Sequence, residues 1–94
     1  MSITDIRDVV CKIAPSYPVH SIDLFGSYAK GSETADSDID LLVAFDKPTA
    51  TLFDLIGLKL DIEDTLNIKV DVVSAPLKAD SYLTIDKTVR LYEI

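Results

Sequence analysis

The amino-acid sequence predicts a mixed α/β domain in which a sheet of three to four strands is flanked by helices. Three observations carry that prediction. Two stretches repeat apolar residues at helical spacing, four short stretches alternate or run apolar as strands do, and the two kinds interleave along the chain. At 94 residues and 10.3 kDa the chain has room for one modest core, so residues 1–94 read as a single domain.

The elements follow in order. Ile3, Ile6, Val9, Val10 and Ile13 recur at helical spacing behind Ser2, whose hydroxyl can cap the helix with Asp5 as the acid of a capping box. Pro15 and Pro18 end that helix. Val19 to Phe25 forms a short strand that stops at Gly26 and runs into a Gly-Ser turn. Tyr28 to Ser37 lacks periodicity and reads as one helical turn followed by a solvated loop. From Asp38 to Phe45 both faces turn apolar once the two acids are passed, which predicts a central strand covered on both sides.

Thr51 and Asp54 have the hydroxyl and acid spacing that opens a helix, here the longest, reaching about Leu66 with Asn67 as a left-handed stop. Its apolar residues, Phe53 and Leu60 among them, cover more of the circumference than one sheet can bury. The surplus is expected to pack under the first helix, ahead of a docking surface or a homodimer interface. Lys69 to Val73 is a third strand, Leu77 to Ile85 has weak helical character, and Thr88 to Glu93 alternates as a final edge strand.

Sixteen acidic residues against nine basic ones leave a net charge of -7, so a nonspecific grip on nucleic acid or anionic lipid would be self-repelled. The lone Cys11 excludes an internal disulfide and a Cys-rich metal site, and reads as a core residue of the first helix. No apolar run approaches a membrane span, and the N-terminus lacks the basic start and apolar stretch of a secretory signal. These features lead us to expect a mature, cytoplasmic protein.

The chemistry concentrates in Gly26-Ser27-Tyr28-Ala29-Lys30-Gly31, in Asp38-Ile39-Asp40, and in Asp71 on the following strand. Asp38 and Asp40, two apart on a strand, leave the same face roughly 6 to 7 Å from each other, a separation at which two carboxylates can share hard divalent cations. Asp71 completes a triad if its strand lies beside the one that begins at Asp38. Three converging carboxylates need positive charge, and two Mg²⁺ ions bridging a triphosphate would supply it. Gly26 lets a phosphate approach the main chain, the Ser27 hydroxyl is a donor beside it, and Lys30 and Gly31 extend the same turn toward phosphate oxygens. Each part alone is commonplace; the combination is not.

This combination, G-S-x10-D-x-D at Gly26, Ser27, Asp38 and Asp40, resembles the nucleotidyltransferase superfamily that includes DNA polymerase beta. Gly26 to Gly31 and the order of elements are most similar to its minimal group, the MNT antitoxins that accompany HEPN-domain ribonuclease toxins, and the resemblance spans essentially the whole chain. It implies a nucleotidyltransferase fold with a mixed sheet. It further implies that Asp38 and Asp40 hold two Mg²⁺ ions, that Asp71 binds the catalytic metal and helps activate the acceptor, and that Gly26 and Ser27 hold the triphosphate. The implied substrate is ATP, and the implied acceptor a tyrosine of a HEPN toxin silenced by AMP. Two other functions fit the same residues: an antitoxin that merely covers the toxin, and a transferase acting on a small molecule or an RNA end.

Overall fold

The structure, a computed structural model, describes residues 2–46, 50–74 and 87–94. Helix α1 (Ile3–Ile13) starts at the expected capping box, Ser2 and Asp5 each bonding the other's backbone amide. A single 3-10 turn at Ala14–Ser16 follows, with Pro15 in its first positions. Strand β1 (Val19–Phe25) leads into the one-turn helix α2 (Ser27–Lys30), and β2 (Ile39–Phe45) follows the loop. Helix α3 (Leu52–Leu66) begins at a second capping box, Thr51 with Asp54, and ends at Asn67 in the left-handed conformation. Strands β3 (Val70–Ser74) and β4 (Val89–Glu93) complete the described elements. The helical character read at Leu77 to Ile85 lies outside the described residues.

The strands form one mixed sheet in the order β3-β2-β1-β4. β1 runs antiparallel to β2 and to β4, whereas β2 and β3 are parallel and joined through α3, as parallel neighbours require a crossover. Alternation then sorts the side chains. Ile39, Leu41 and Val43 of β2, with Ile22 and Leu24 of β1 and Val70 of β3, are fully buried with Ile6 and Val10 of α1 and Leu58 and Ile62 of α3. The opposite face of β2 is not covered as expected: Asp40, Leu42 and Ala44 are only half-buried. The run Leu41-Leu42-Val43-Ala44 is apolar on both faces, but both long helices pack on one of them.

Two further expectations are corrected. Cys11 is exposed, and its thiol reaches the Leu91 carbonyl at 3.2 Å, because the buried stripe of α1 runs through Ile6 and Val10. The surplus apolar arc of α3 is not buried by α1. Leu58 and Ile62 turn inward, while Phe53, Ile56 and Leu60, at i, i+3 and i+7, look directly away from them, and Phe53 is 85% exposed.

Tyr17, just past the 3-10 turn, joins the helical layer from the side. Its ring lies over Gly57, where a Cβ would stand 3.1 Å from the ring and hydroxyl, and its hydroxyl donates to Asp61. Donating that hydrogen bond to the Asp61 carboxylate, together with burial and the nearby carboxylates, pushes the phenol up from 10.0 to about 12. The neutral phenol is thus favoured by folding, and its contribution is intact below pH 10 and lost as pH climbs from 10.0 to about 12. Tyr17→Phe is expected to cost about 0.5–1 kcal/mol at pH 7, since the bond is partly exposed, with the gap to wild type closing across that alkaline window in urea unfolding.

Candidate active site

The sheet register builds the site. Phe25 pairs with Asp40 across β1 and β2, and Asp40 pairs with Asp71 across β2 and β3, so the two acids stand side by side on neighbouring strands about 5 Å apart. Asp38 precedes β2 by one residue, and alternation directs it to the same face as Asp40. The adjacency on which a triad depended is therefore present. Two bonds from backbone amides lock this end of the sheet: Ile39 donates to the Lys69 carbonyl at 3.0 Å, and Val70, the first residue of edge strand β3, donates to the Glu63 carboxylate at 2.8 Å.

Gly26 sits immediately beyond β1 with φ 75° and ψ -154°, a conformation that side-chain-bearing residues avoid. It also faces the acids. A Cβ on Gly26 would stand 2.2 Å from Asp40 Oδ2 and 3.1 Å from its Cγ, so the carboxylate occupies the space a side chain would need. α2 then closes as one turn, Lys30 N donating to the Gly26 carbonyl at 3.2 Å, and ends at Gly31 with φ 72°. Ser27 opens that turn, where the first amides have no carbonyl of their own turn to bond. Tyr28 and Ala29 are buried in the core, so Tyr28 anchors the turn.

Burial pushes the Asp40 carboxyl above its ordinary 3.8, and the negative charges of Asp71 and Asp38 push it in the same direction. The cluster is thus an assembly of like charges. Lys69 answers it at one end, its Nζ lying 3.7 Å from Asp38 Oδ2. Among the described residues no group of three His, Cys, Asp or Glu is gathered closely enough to hold a metal as it stands. The donor set is nevertheless all oxygen, the chemistry hard divalent cations select, and its mutual repulsion is what such a cation would relieve. Asp38, Asp40 and Asp71 could hold it between them.

Lys69 is the residue that sequence reading missed. Its signal was its place two residues before Asp71, which sets it opposite Asp38 once β3 pairs in parallel with β2. The remaining candidates are local to the site through α2, with Ser27 first and Lys30 last in the turn. A cleft of about 600 Å³, lined in part by Tyr17, Asp46, Asp54 and Tyr92, lies at the other end of the sheet. Asp46 follows the last residue of β2, whereas Asp38 and Asp40 mark its start.

Two outcomes test this geometry. Gly26→Ala should displace the Asp40 carboxylate and abolish any activity that depends on it. Gly31→Ala, which meets nothing within 4 Å, should keep most activity and cost only about 1 kcal/mol for its positive φ. Because folding raises the Asp40 pKa, ionisation at neutral pH opposes folding, and stability returns as pH falls through the raised value toward 3.8. Asp40→Asn should accordingly melt above wild type at pH 7 in EDTA, with the gap closing as pH is lowered toward 3.8.

Comparison with known proteins places the chain in a family. Residues 3–93 match the family described as nucleotidyltransferase domain. A protein adenylyltransferase of Methanocaldococcus jannaschii is 36% identical over 77 residues, covering 78% of each chain. Protein adenylyltransferase MntA of Thermococcus cleftensis is 37% identical over 73 residues, covering 78% of this chain and 70% of its own. Among solved structures, a minimal nucleotidyltransferase aligns with TM-score 0.68 at 38% identity over 79% of this chain and 78% of that one. A toxin–antitoxin structure with AMP-PNP shares the fold at TM-score 0.73 and 23% identity, over 94% of this chain and 73% of that one. By the near-complete family match, and by its identity to these relatives over most of both lengths, the chain belongs to the nucleotidyltransferase domain family, in its minimal (MNT) group, and is an enzyme of that class.

Proposed function

We propose that this protein is an antitoxin that transfers AMP from ATP to a tyrosine hydroxyl of a HEPN-domain ribonuclease toxin and so silences it. The observation that carries the reading is the row formed by Gly26, Asp40 and Asp71, a main-chain approach for a polyphosphate set against a pair of carboxylates. The names of the relatives support protein as the acceptor class. Two structures of the same fold, a toxin–antitoxin structure with AMP-PNP and a tri-AMPylated HEPN toxin bound to an MNT antitoxin, support ATP and a HEPN toxin.

The residues divide the work. Asp38, Asp40 and Asp71 would hold the divalent cations. Two Mg²⁺ ions would neutralise charge on the polyphosphate and make the acceptor hydroxyl more acidic. Gly26 admits the polyphosphate to the main chain, and the Ser27 hydroxyl with the Lys30 end of α2, closed by Gly31, lies along the same turn. The acceptor oxygen attacks the α-phosphorus, the bond from that phosphorus to the bridging oxygen of the β-phosphate breaks, and pyrophosphate leaves. Asp71, across from Asp40, helps draw off the hydroxyl proton.

A second reading is favoured by the exposed line Phe53, Ile56 and Leu60 on α3, with Leu52 beside it, a surface suited to simple occlusion of a toxin. The net charge of -7 opposes self-association and direct RNA binding alike, and suits a basic partner. Intact-mass spectrometry of a HEPN partner incubated with this protein, ATP and Mg²⁺ separates the two. Transfer predicts an AMP-sized gain that Asp38→Asn and Asp40→Asn variants lack, together with loss of neutralisation. An unmodified toxin that is still silenced by those variants would establish occlusion.

A further inference from the structure

We infer that Lys69 is a tethered counter-cation of the carboxylate block, holding Asp38 in the metal-free protein and competing with divalent metal for it. The inference rests on the reading of Asp38, Asp40 and Asp71 as metal-holding groups. It starts from register. Ile39 pairs with Val70 and Asp40 with Asp71, so one step back along both strands Lys69 stands opposite Asp38, and the four residues form a two-by-two block with three negative members and one positive. The bond from Ile39 N to the Lys69 carbonyl fixes the backbone from which that ammonium reaches out.

The strength of the contact decides its role. At 3.7 Å, with the Lys69 side chain 65% exposed and Asp38 37% exposed, the pair is a long contact open to solvent. Pairs of this kind contribute little, on the order of 1 kcal/mol or less, and are easily displaced. A divalent cation offers Asp38 twice the charge without a flexible stem to immobilise. Lys69 is therefore too weak to shut the site and strong enough to matter. It lessens the repulsion among the acids when no metal is present, and it must release Asp38 when metal arrives.

A merely structural lysine, when removed, loosens whatever site it supports. A competing cation does the opposite: its removal tightens metal binding. Mn²⁺ binding without nucleotide, followed by the electron paramagnetic resonance of the free ion, should show Lys69→Met binding about two- to five-fold tighter than wild type. Lys69→Arg, which keeps the charge, should behave as wild type. In an Asp38→Asn background the same Lys69→Met change should shift Mn²⁺ affinity little, since the partner through which Lys69 acts is gone. Equal or weaker binding by Lys69→Met in a folded protein overturns the inference. So does a full tightening in the Asp38→Asn background, which would assign the effect to the general field. Wild type binding no Mn²⁺ while the Asp40→Asn variant keeps its fold would instead overturn the metal reading of the acids, and this inference with it.

Discussion

The site depends on one close approach, the Asp40 carboxylate against the Cα of Gly26. β1 ends at Phe25, the pairing partner of Asp40, so the chain must turn where the acid projects. A side chain on residue 26 would meet Asp40 Oδ2 at 2.2 Å, and the turn itself needs positive φ. Glycine meets both demands at once. The same contact sets α2 at the end of β1, so the first turn after the strand and the first acid within β2 are positioned by one another.

The sheet carries two incompatible environments, one on each face. Toward α1 and α3 the side chains of Ile22, Leu24, Ile39, Leu41, Val43 and Val70 are excluded from water, which is where burial of apolar surface stabilises the fold. Toward the other face the same strands present Phe25, Asp40 and Asp71 in one row, half-buried or nearly buried, with like charges in register. Parallel pairing of β2 and β3 makes this arrangement persist, because a slip of one residue would turn Val70 and Val72 toward the acids and carry Asp71 into the core. The apolar face holds the polar face together against its own repulsion.

α3 has a double character that follows from its composition. It supplies Leu58 and Ile62 to the core and, through Glu63, a carboxylate that satisfies the outward amide of Val70. Its far side keeps Phe53, Ile56 and Leu60 in water. Asp61 belongs to neither group: it accepts the Tyr17 hydroxyl and ties the turn after α1 to the helix. An apolar arc wider than the available core is left over in this way whenever a helix has only one sheet to cover.

By itself the sequence determined the elements and the identities of the acids. Local signals sufficed: capping boxes at Ser2 and Thr51, a left-handed stop at Asn67, prolines after Ile13, and alternation in four strands, each a matter of a few neighbouring residues. Gly26, Asp38 and Asp40 were legible because they lie within one turn and one strand start. The tertiary structure decided everything that depends on which strand lies beside which. It placed Asp71 next to Asp40 and Lys69 within reach of Asp38, left one face of β2 half-open and kept the α3 arc out from under α1. The reason is physical. Capping and periodicity are set by backbone bonds between near neighbours, whereas strand order and face coverage are set by how a limited number of apolar surfaces pack on one another across the whole chain.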